Sequence, residues 1–439
     1  VTHIDYSHKA ALGECGLPIL WGDTAKAVIA GIHTSMVPNT QTSMFSPITF
    51  DDVVRWTSWL DSLISPRYLN EIPVDRMAAQ HITEEVHRKS AINFVPEVPN
   101  SGAKGLVVYG GVNTRSNEKM KTKISPVRSR LLELGLAVPD LCAPVSDNNN
   151  RREFLLATTR TPQPVDTEVL ERASKSLYNS LSQVVVNCVD VSSWTPLDDE
   201  EVLARTKWDK SAGFPYFSKK DKLRKDGSLL PMVEERLRAS EAAIRDGDNP
   251  GFLNMASVKD EALKRGKKAR YFQAAPFESY FLCMKYFGPL MDRMSDDNLT
   301  SGVATGMNPL GPRWDRVMRV LLAPDRKLLN MDFSWFDRYF HPQLKEAAVT
   351  IFAELAYHLY GGTVDLQFLK NLLMAVTFSK VNMSGAIYDP LSLWPSGIAL
   401  TAHLGTCYGR LMLTYAWCVL YPEDMWKLCY YLGLGDDNL

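Results

Sequence analysis

Three aspartates at the ends of short apolar runs constrain this chain more than any other feature. Asp332 follows the strand-like run Leu328, Leu329 and Met331. Asp436 and Asp437 follow Leu428-Cys429-Tyr430-Tyr431-Leu432, a β-type run, through Leu434 and Gly435. Gly-Asp-Asp after such a run predicts a tight hairpin with two carboxylates exposed at its turn. Three carboxylates gathered at neighbouring strand ends repel one another unless cations join them. Mg2+ suits the place, because it takes hard oxygen ligands and shares its shell among a few carboxylates, waters and substrate phosphates. Two such ions about 3.5–4 Å apart can clamp the attacking and leaving oxygens of an in-line phosphoryl displacement. Composition alone gives a Gly-Asp-Asp in about one chain in ten of this length. Order, spacing and strand-end placement therefore carry the expectation, not the tripeptide.

The rest of the chain sets the frame. Its 439 residues exceed one compact core and predict about two to four domains or subdomains. The balance of 45% hydrophobic and 23% charged residues excludes a fibrous or largely disordered chain. No run of about 18 apolar residues is present to span a membrane. A net charge of −1 gives no global basic signature, so any nucleic-acid contact must be local. Seven scattered cysteines without a Cys-x-x-Cys pair argue against a disulfide scaffold or zinc cluster and for a reducing, cytoplasmic setting. The chain opens on Val-Thr-His without a signal-peptide pattern and stops directly after Gly-Asp-Asp-Asn-Leu. A window cut from a longer polypeptide is expected.

Residues 1–50 read as β-structure, with apolar runs at 17–20 and 27–32. A helix is expected from Thr49, which can cap it, to Pro66. A domain boundary is expected within 65–105, with Gln80-His81 as a candidate processing junction. Between 115 and 130, Arg115, Lys119, Lys121, Lys123, Arg128 and Arg130 stand against Glu118 alone, as a solvated loop or a phosphate-contacting strip. From about 165, helical periodicity dominates, broken by Gly/Pro-rich loops at 211–216, 302–312 and 391–397. One of these, Pro395-Ser396-Gly397, feeds an apolar helix through Thr401. Lys259-Asp260-Glu261, followed by Lys264, Arg265, Lys267, Lys268 and Arg270, forms a basic segment between apolar ones. Such a run is usually a solvated face. In this company its cations are expected to neutralise charge on a triphosphate.

These segments, in this order, resemble the RNA-dependent RNA polymerase of picorna-like positive-strand RNA viruses over about residues 100–439. Ser211-Ala212-Gly213-Phe214-Pro215-Tyr216 resembles the template-guiding loop, and Lys259 through Arg270 the basic finger motif. Gly306-Met307-Asn308-Pro309 with Trp314 resembles the segment before the first palm motif. Asp332 and Asp337 match that motif, Ser396-Gly397 with Thr401 the second, and Gly435-Asp436-Asp437 the third. The resemblance implies an α/β (α+β) right-hand polymerase, fingers and palm, with an antiparallel palm sheet. It implies two Mg2+ ions, or Mn2+ in their place, on the catalytic Asp332, Asp436 and Asp437. Asp337, Ser396 and Thr401 would read the ribose 2′-OH, which can donate and accept hydrogen bonds. Lys259, Lys268 and Arg270 would hold the nucleotide, and Ser211, Gly213 and Pro215 the template. Two departures stand out. Leu434 replaces the family's frequent Tyr, and Gly405, with Thr406 beside it, stands where the family has a sugar-selecting Asn.

The amino-terminal part carries a second resemblance. Gly13-Glu14-Cys15-Gly16, then Gly31-Ile32-His33, resemble the end of the chymotrypsin-like cysteine protease that precedes this polymerase in picorna-like polyproteins. The resemblance implies that Cys15 is the nucleophile, that Gly13 and Cys15 offer backbone N–H groups to an oxyanion, and that His33 lines the substrate pocket. Ala10 departs from the family's Thr five residues before the nucleophile. The expected organisation is residues 1–80, a partial all-β barrel fragment of the protease plus linker, then residues 81–439, polymerase fingers and partial palm without the thumb. The general base would lie upstream of Val1, so no protease turnover is expected from this chain.

The implied partners are RNA template and primer, NTPs, a small protein primer and other viral replication proteins. The implied setting is the host cytoplasm, at membrane-associated replication complexes. Two rival readings are an RNA- and NTP-binding fragment without turnover and a reverse transcriptase. Ser396-Gly397-x3-Thr401 and the polar Asp337 weigh against the latter.

Overall fold

The computed structural model describes strand backbones at 4–7, 18–21, 28–36, 42–47 and 106–111. From residue 128 it describes all but 137, 139, 145–149, 151–153, 155–164, 187–193, 309–310, 324–326, 328, 330, 334–335, 384–385, 391, 435–436 and 439. Side chains of the strands before 128, and of 332, 386, 388–389 and 437–438, are not described. The expected helix at 49–66, the 65–105 boundary region with Gln80-His81, and the basic strip up to 127 lie outside the described residues. Two compact units emerge, the first formed by 1–97, 107–117 and 382–388 and the second by 98–106, 118–381 and 389–439.

In the first unit, β1 (Ile4–Ser7), β2 (Pro18–Trp21), β3 (Val28–Met36) and β4 (Thr42–Pro47) form an antiparallel sheet in the order β1-β4-β3-β2. The β-reading of residues 1–50 holds at each of these strands. Among the described residues the sheet is open. The pairing of β3 with β4 slips between His33 and Ser35, where His33 faces Phe45 and Ser35 faces Met44. Strand β5 (Leu106–Gly111) follows.

The second unit begins with α1 (Arg128–Glu133) and β6 (Leu141–Cys142). Its long helices follow the predicted periodicity. In α2 (Thr167–Val186), Ala173, Leu177, Leu181 and Val184 recur at three- and four-residue spacing and are all buried. The Asp166 carboxylate accepts the N–H groups of Glu168 and Val169 and caps its start. α3 (Asp199–Arg205) carries a full capping box from Asp198 and Glu201. Next come the hairpin β7 (Arg224–Lys225) and β8 (Ser228–Leu229), then α4 (Pro231–Arg245). β9 (Leu253–Val258) pairs antiparallel with β11 (Tyr271–Ala274), and β10 (Leu263–Lys264) lies in the connection between them.

The central helix α5 (Phe277–Asp296) is buried on nearly every side. The short α6 (Asn298–Ser301) ends at Gly302, and α7 (Pro312–Leu321) precedes β12 (Met331–Asp332). α8 (Pro342–Leu359) starts on a helix-compatible proline, and Asp365 caps α9 (Leu366–Thr377). β13 (Lys380–Met383) and β14 (Ala386–Pro390) lead to α10 (Thr401–Leu420). One apolar core joins α2, α5, α8, α9 and α10.

Three short strands close the chain. β12, β16 (Asp437–Asn438) and β15 (Gly433–Leu434) form an antiparallel sheet in that order. Here the sequence reading needs two corrections. Leu428–Leu432 is not a strand: a 3-10 turn, Met425–Lys427, precedes it, and the ladder begins only at Gly433. Asp437 is not in the turn. Leu434 pairs with Asp437, so only positions 435 and 436 separate the paired residues, and the second aspartate belongs to the returning strand.

Candidate active site

The register of this last sheet governs the site. Asp332 pairs directly with Asp437, and Met331 with Asn438. Directly opposed antiparallel residues have Cα atoms about 4.5–5.5 Å apart. Two carboxylate-bearing positions separated by 105 residues in sequence therefore become neighbours. Asp436 lies outside the described residues.

The hairpin strand is held through its main chain. Gly433 N–H donates to Gly302 O at 2.8 Å, and its carbonyl accepts from Ala304 N–H at 2.8 Å and Thr406 Oγ1 at 3.4 Å. Behind this junction lies the buried Arg410. Its guanidinium donates to Thr300 O at 3.1 Å, Ser301 O at 2.5 Å and Ser180 Oγ at 3.0 Å, and stacks 4.0 Å over Trp426. Burial pushes the Arg410 pKa down to about 10.

Asp337 sits in a 3-10 turn, Phe336–Arg338, just beyond β12. The Asp337 carbonyl accepts from Trp394 N–H at 2.7 Å, and Phe340 N–H donates to Ser392 O at 3.0 Å. Phe340 stacks between Trp394 and Tyr408, at 4.4 and 3.8 Å. The turn carrying Asp337 is thus fastened to the segment that leads into Ser396.

Ser396 is gripped by a residue the sequence reading passed over. Gln273, fully buried in β11, accepts both the N–H and the hydroxyl of Ser396, at 3.1 and 3.0 Å. Ala274 bridges Gly397, and a Cβ on Gly397 would stand 1.8 Å from the Gln273 carbonyl oxygen, so only glycine fits this approach. Thr401 Oγ1 donates to Ile398 O at 2.8 Å.

The basic segment is the connection between β9 and β11. Lys259 N–H donates to Arg270 O at 2.8 Å and places the two cations side by side. The Arg270 guanidinium grips Glu261 through both Nε, at 2.6 Å, and a terminal nitrogen, while Lys259 Nζ stands 3.5 Å from the same carboxylate. The Arg270 hydrogen bonds hold the Glu261 pKa below its ordinary 4.5 against the opposing effect of burial. Lys268 is exposed in the same connection. Arg265 is turned to Asp140, at 2.8 Å.

The loop at 211–216 rests against the start of α5. Gly213 has φ 71°, and a Cβ there would meet Ala275 O at 2.3 Å. Pro215 follows a cis peptide bond, and Ser211 Oγ accepts from Gly213 N–H at 3.2 Å. Tyr216 donates to the buried Glu278 at 2.6 Å, and Arg236 Nε donates to the same oxygen at 2.7 Å. Burial, then the Glu278 charge, raises the Tyr216 pKa.

The second unit thus brings together the neighbourhoods of Asp332 and Asp437, of Asp337 with Ser396 and Thr401, and of Lys259 with Arg270. In the first unit His33 lies in β3, and Cys15 and Gly13 lie outside the described residues. Gln273, Glu261, Glu278 and Arg410 were missed as site-supporting residues. The available signal was parity: Gln273 shares the inward face of its strand with Tyr271, where a polar side chain needs a reason.

Among the described residues no helix is long and apolar enough to cross a membrane. Comparison with known proteins agrees with the geometry. Genome polyproteins of human hepatitis A virus are 27% identical over 252 residues (genotype IIA, isolate CF-53) and 26% identical over 248 residues (genotype IA, isolate HAS-15). Each match takes in 53% of this chain but only 11% and 12% of those polyproteins. A family model described as viral RNA-dependent RNA polymerase matches residues 156–439, so the helices and antiparallel sheet of the second unit are a fingers-and-palm domain, and the chain belongs to the viral RNA-dependent RNA polymerase family.

Proposed function

We propose that this chain carries templated RNA synthesis, in which a primer 3′-hydroxyl attacks the α-phosphate of an NTP and pyrophosphate leaves. The observation that carries the reading is the palm-sheet register that sets Asp332 opposite Asp437. Hard carboxylate oxygens on adjoining strands fit divalent ions, and Asp332, Asp436 and Asp437 would hold two Mg2+, or Mn2+ in their place. When bound, the ions supply charge neutralisation at the reacting phosphate.

The chain's own groups bind and orient. Arg270, with Lys259 and Lys268, holds the triphosphate, and Glu261 keeps the Arg270 fork in one orientation before substrate arrives. Asp337, Ser396 and Thr401 face the ribose, and Ser211, Gly213 and Pro215 guide the template. Little covalent work falls to the protein in such a reaction; positioning and charge neutralisation carry it.

For the amino-terminal unit the proposal is the end of a cysteine protease, with Cys15 as nucleophile, Gly13 in the oxyanion hole and His33 at the pocket. Its support is the Gly-x-Cys-Gly and Gly-x-His spacing. The proposed setting is the host cytoplasm, at membrane-associated complexes with other viral proteins and a small protein primer.

Primer extension on an RNA template with Mg2+ tests the polymerase reading. Asp332→Asn and Asp436→Ala should each lower extension by about 100-fold or more, since each removes a metal ligand. Extension indifferent to both changes refutes the reading. RNA and NTP binding without extension by the unaltered chain would favour a binding fragment, and preference for dNTPs a reverse transcriptase.

A further inference from the structure

We infer that Gln273 is a positioning residue that fixes the hydrogen-bond polarity of Ser396, so that this site recognises a 2′ substituent as a donor. The inference rests on the proposed ribose-reading role of Ser396. A carboxamide oxygen only accepts, and its amide nitrogen only donates. Ser396 N–H can only donate, so the atom facing it must be the Gln273 oxygen, which fixes the orientation of the carboxamide. The Ser396 hydroxyl meets the same oxygen at 3.0 Å and must spend its one hydrogen there.

What remains on Ser396 is a pair of acceptor sites. Thr401 is in the same state, its hydroxyl hydrogen given to Ile398 O. Two hydroxyls of the ribose-reading set are thus presented as acceptors. A sugar 2′-OH can donate to them, and a 2′-hydrogen or 2′-fluorine cannot.

The arrangement is built in. Gln273 is fully buried in the middle of β11, and its Nε2 has no hydrogen-bond partner among the described residues. An apolar side chain would avoid that orphan donor, so the oxygen's two bonds are what the position provides. The main chain locks the contact as well, since Gly397 lies too close to the Gln273 carbonyl for any Cβ. Gln273 also stands three residues after Arg270, on the strand that Arg270 leads into, which links the triphosphate end of the site to the sugar end.

Competition binding to the chain with Mg2+ and a primer–template tests this. The probes are a nucleoside triphosphate and its 2′-deoxy, 2′-fluoro and 2′-amino analogues. The unaltered chain should bind the 2′-hydroxyl and 2′-amino forms about tenfold more tightly than the 2′-deoxy and 2′-fluoro forms, the worth of one hydrogen bond. Gln273→Leu frees the Ser396 hydroxyl to donate, so the 2′-fluoro form, a weak acceptor, should recover part of its deficit while the 2′-deoxy form does not. Gln273→Glu keeps an acceptor oxygen and should keep the original order.

If the unaltered chain binds the 2′-fluoro form as well as the 2′-amino form, the inference is overturned without any variant. If Ser396→Ala erases 2′-OH preference but Gln273→Leu leaves all ratios unchanged, the inference fails and the ribose-reading role of Ser396 stands. If Ser396→Ala changes nothing, or no probe binds, both fall.

Discussion

His403 offers a quantitative test of how the helix that carries Thr401 is packed. It lies in the first turn of α10, buried, with Nε2 2.8 Å from Ser295 Oγ on α5. Burial pushes its pKa from 6.5 down to about 4, while the Asp292 charge and the Met291 carbonyl pull weakly the other way. Between those values the unfolded chain takes up a proton that the folded chain refuses. The stability associated with a neutral His403 is therefore complete above 6.5 and is lost on acidification. Linkage between the two pKa values gives a loss of about 2 kcal/mol at pH 5 and about 3 kcal/mol at pH 4. Hydrogen exchange of the α10 amides reads this locally, without requiring both units to unfold together. After correction for intrinsic rates, moving from pH 7.5 to pH 5 should lower protection about 30-fold, the equivalent of that 2 kcal/mol. His403→Leu should remove most of the drop, since no proton is then refused. Equal losses in the two proteins would refute the argument.

Gly397→Ala places a Cβ 1.8 Å from the Gln273 carbonyl oxygen, so the loop must lift off β11. Nucleotide affinity should fall at least about tenfold, measured by titration beside an unchanged far-ultraviolet spectrum, because the Ser396 bonds to Gln273 are lost together. Glu278→Ala strands the Tyr216 hydroxyl and the Arg236 guanidinium that share one carboxylate oxygen. Breaking a buried pair from one side should cost about 3 kcal/mol in urea denaturation and weaken template binding. Glu261, held below 4.5 by Arg270, keeps its pair intact at neutral pH and releases Arg270 only as pH falls below that value. At neutral pH Glu261→Ala should therefore raise the nucleotide KM several-fold while changing kcat less, read by steady-state extension.

The helices were legible because their signal is local. Leu177, Leu181 and Val184 announce the buried face of α2, and Asp166 and Asp198 announce starts that the backbone uses. The strand end at Asp332 and the loop at Ser396 were legible for the same reason. Leu428–Leu432 was not. Only its end is covered: Leu432 packs against Val317 and Leu321 and Tyr431 lies under Arg410, while Leu428 and Tyr430 are exposed. An apolar run does not by itself make a ladder, which needs a partner strand, and pairing with β16 starts only at Gly433. The grip of Gln273 on Ser396 joins residues 123 apart, and no local pattern encodes such a pairing.

Because Gly433 is clasped chiefly by the peptide groups of Gly302 and Ala304, with Thr406 Oγ1 beside them, the side chain of the residue after it is left out of the clasp. Leu434 is 46% exposed and occupies the place where related polymerases often carry tyrosine. Drift at that position can proceed without disturbing the acids beyond it, whereas replacement of Gly433 itself would drive a new carbon to 2.5 Å from the Tyr431 hydroxyl. Variation among replicases of this kind should therefore concentrate one step away from the clasp.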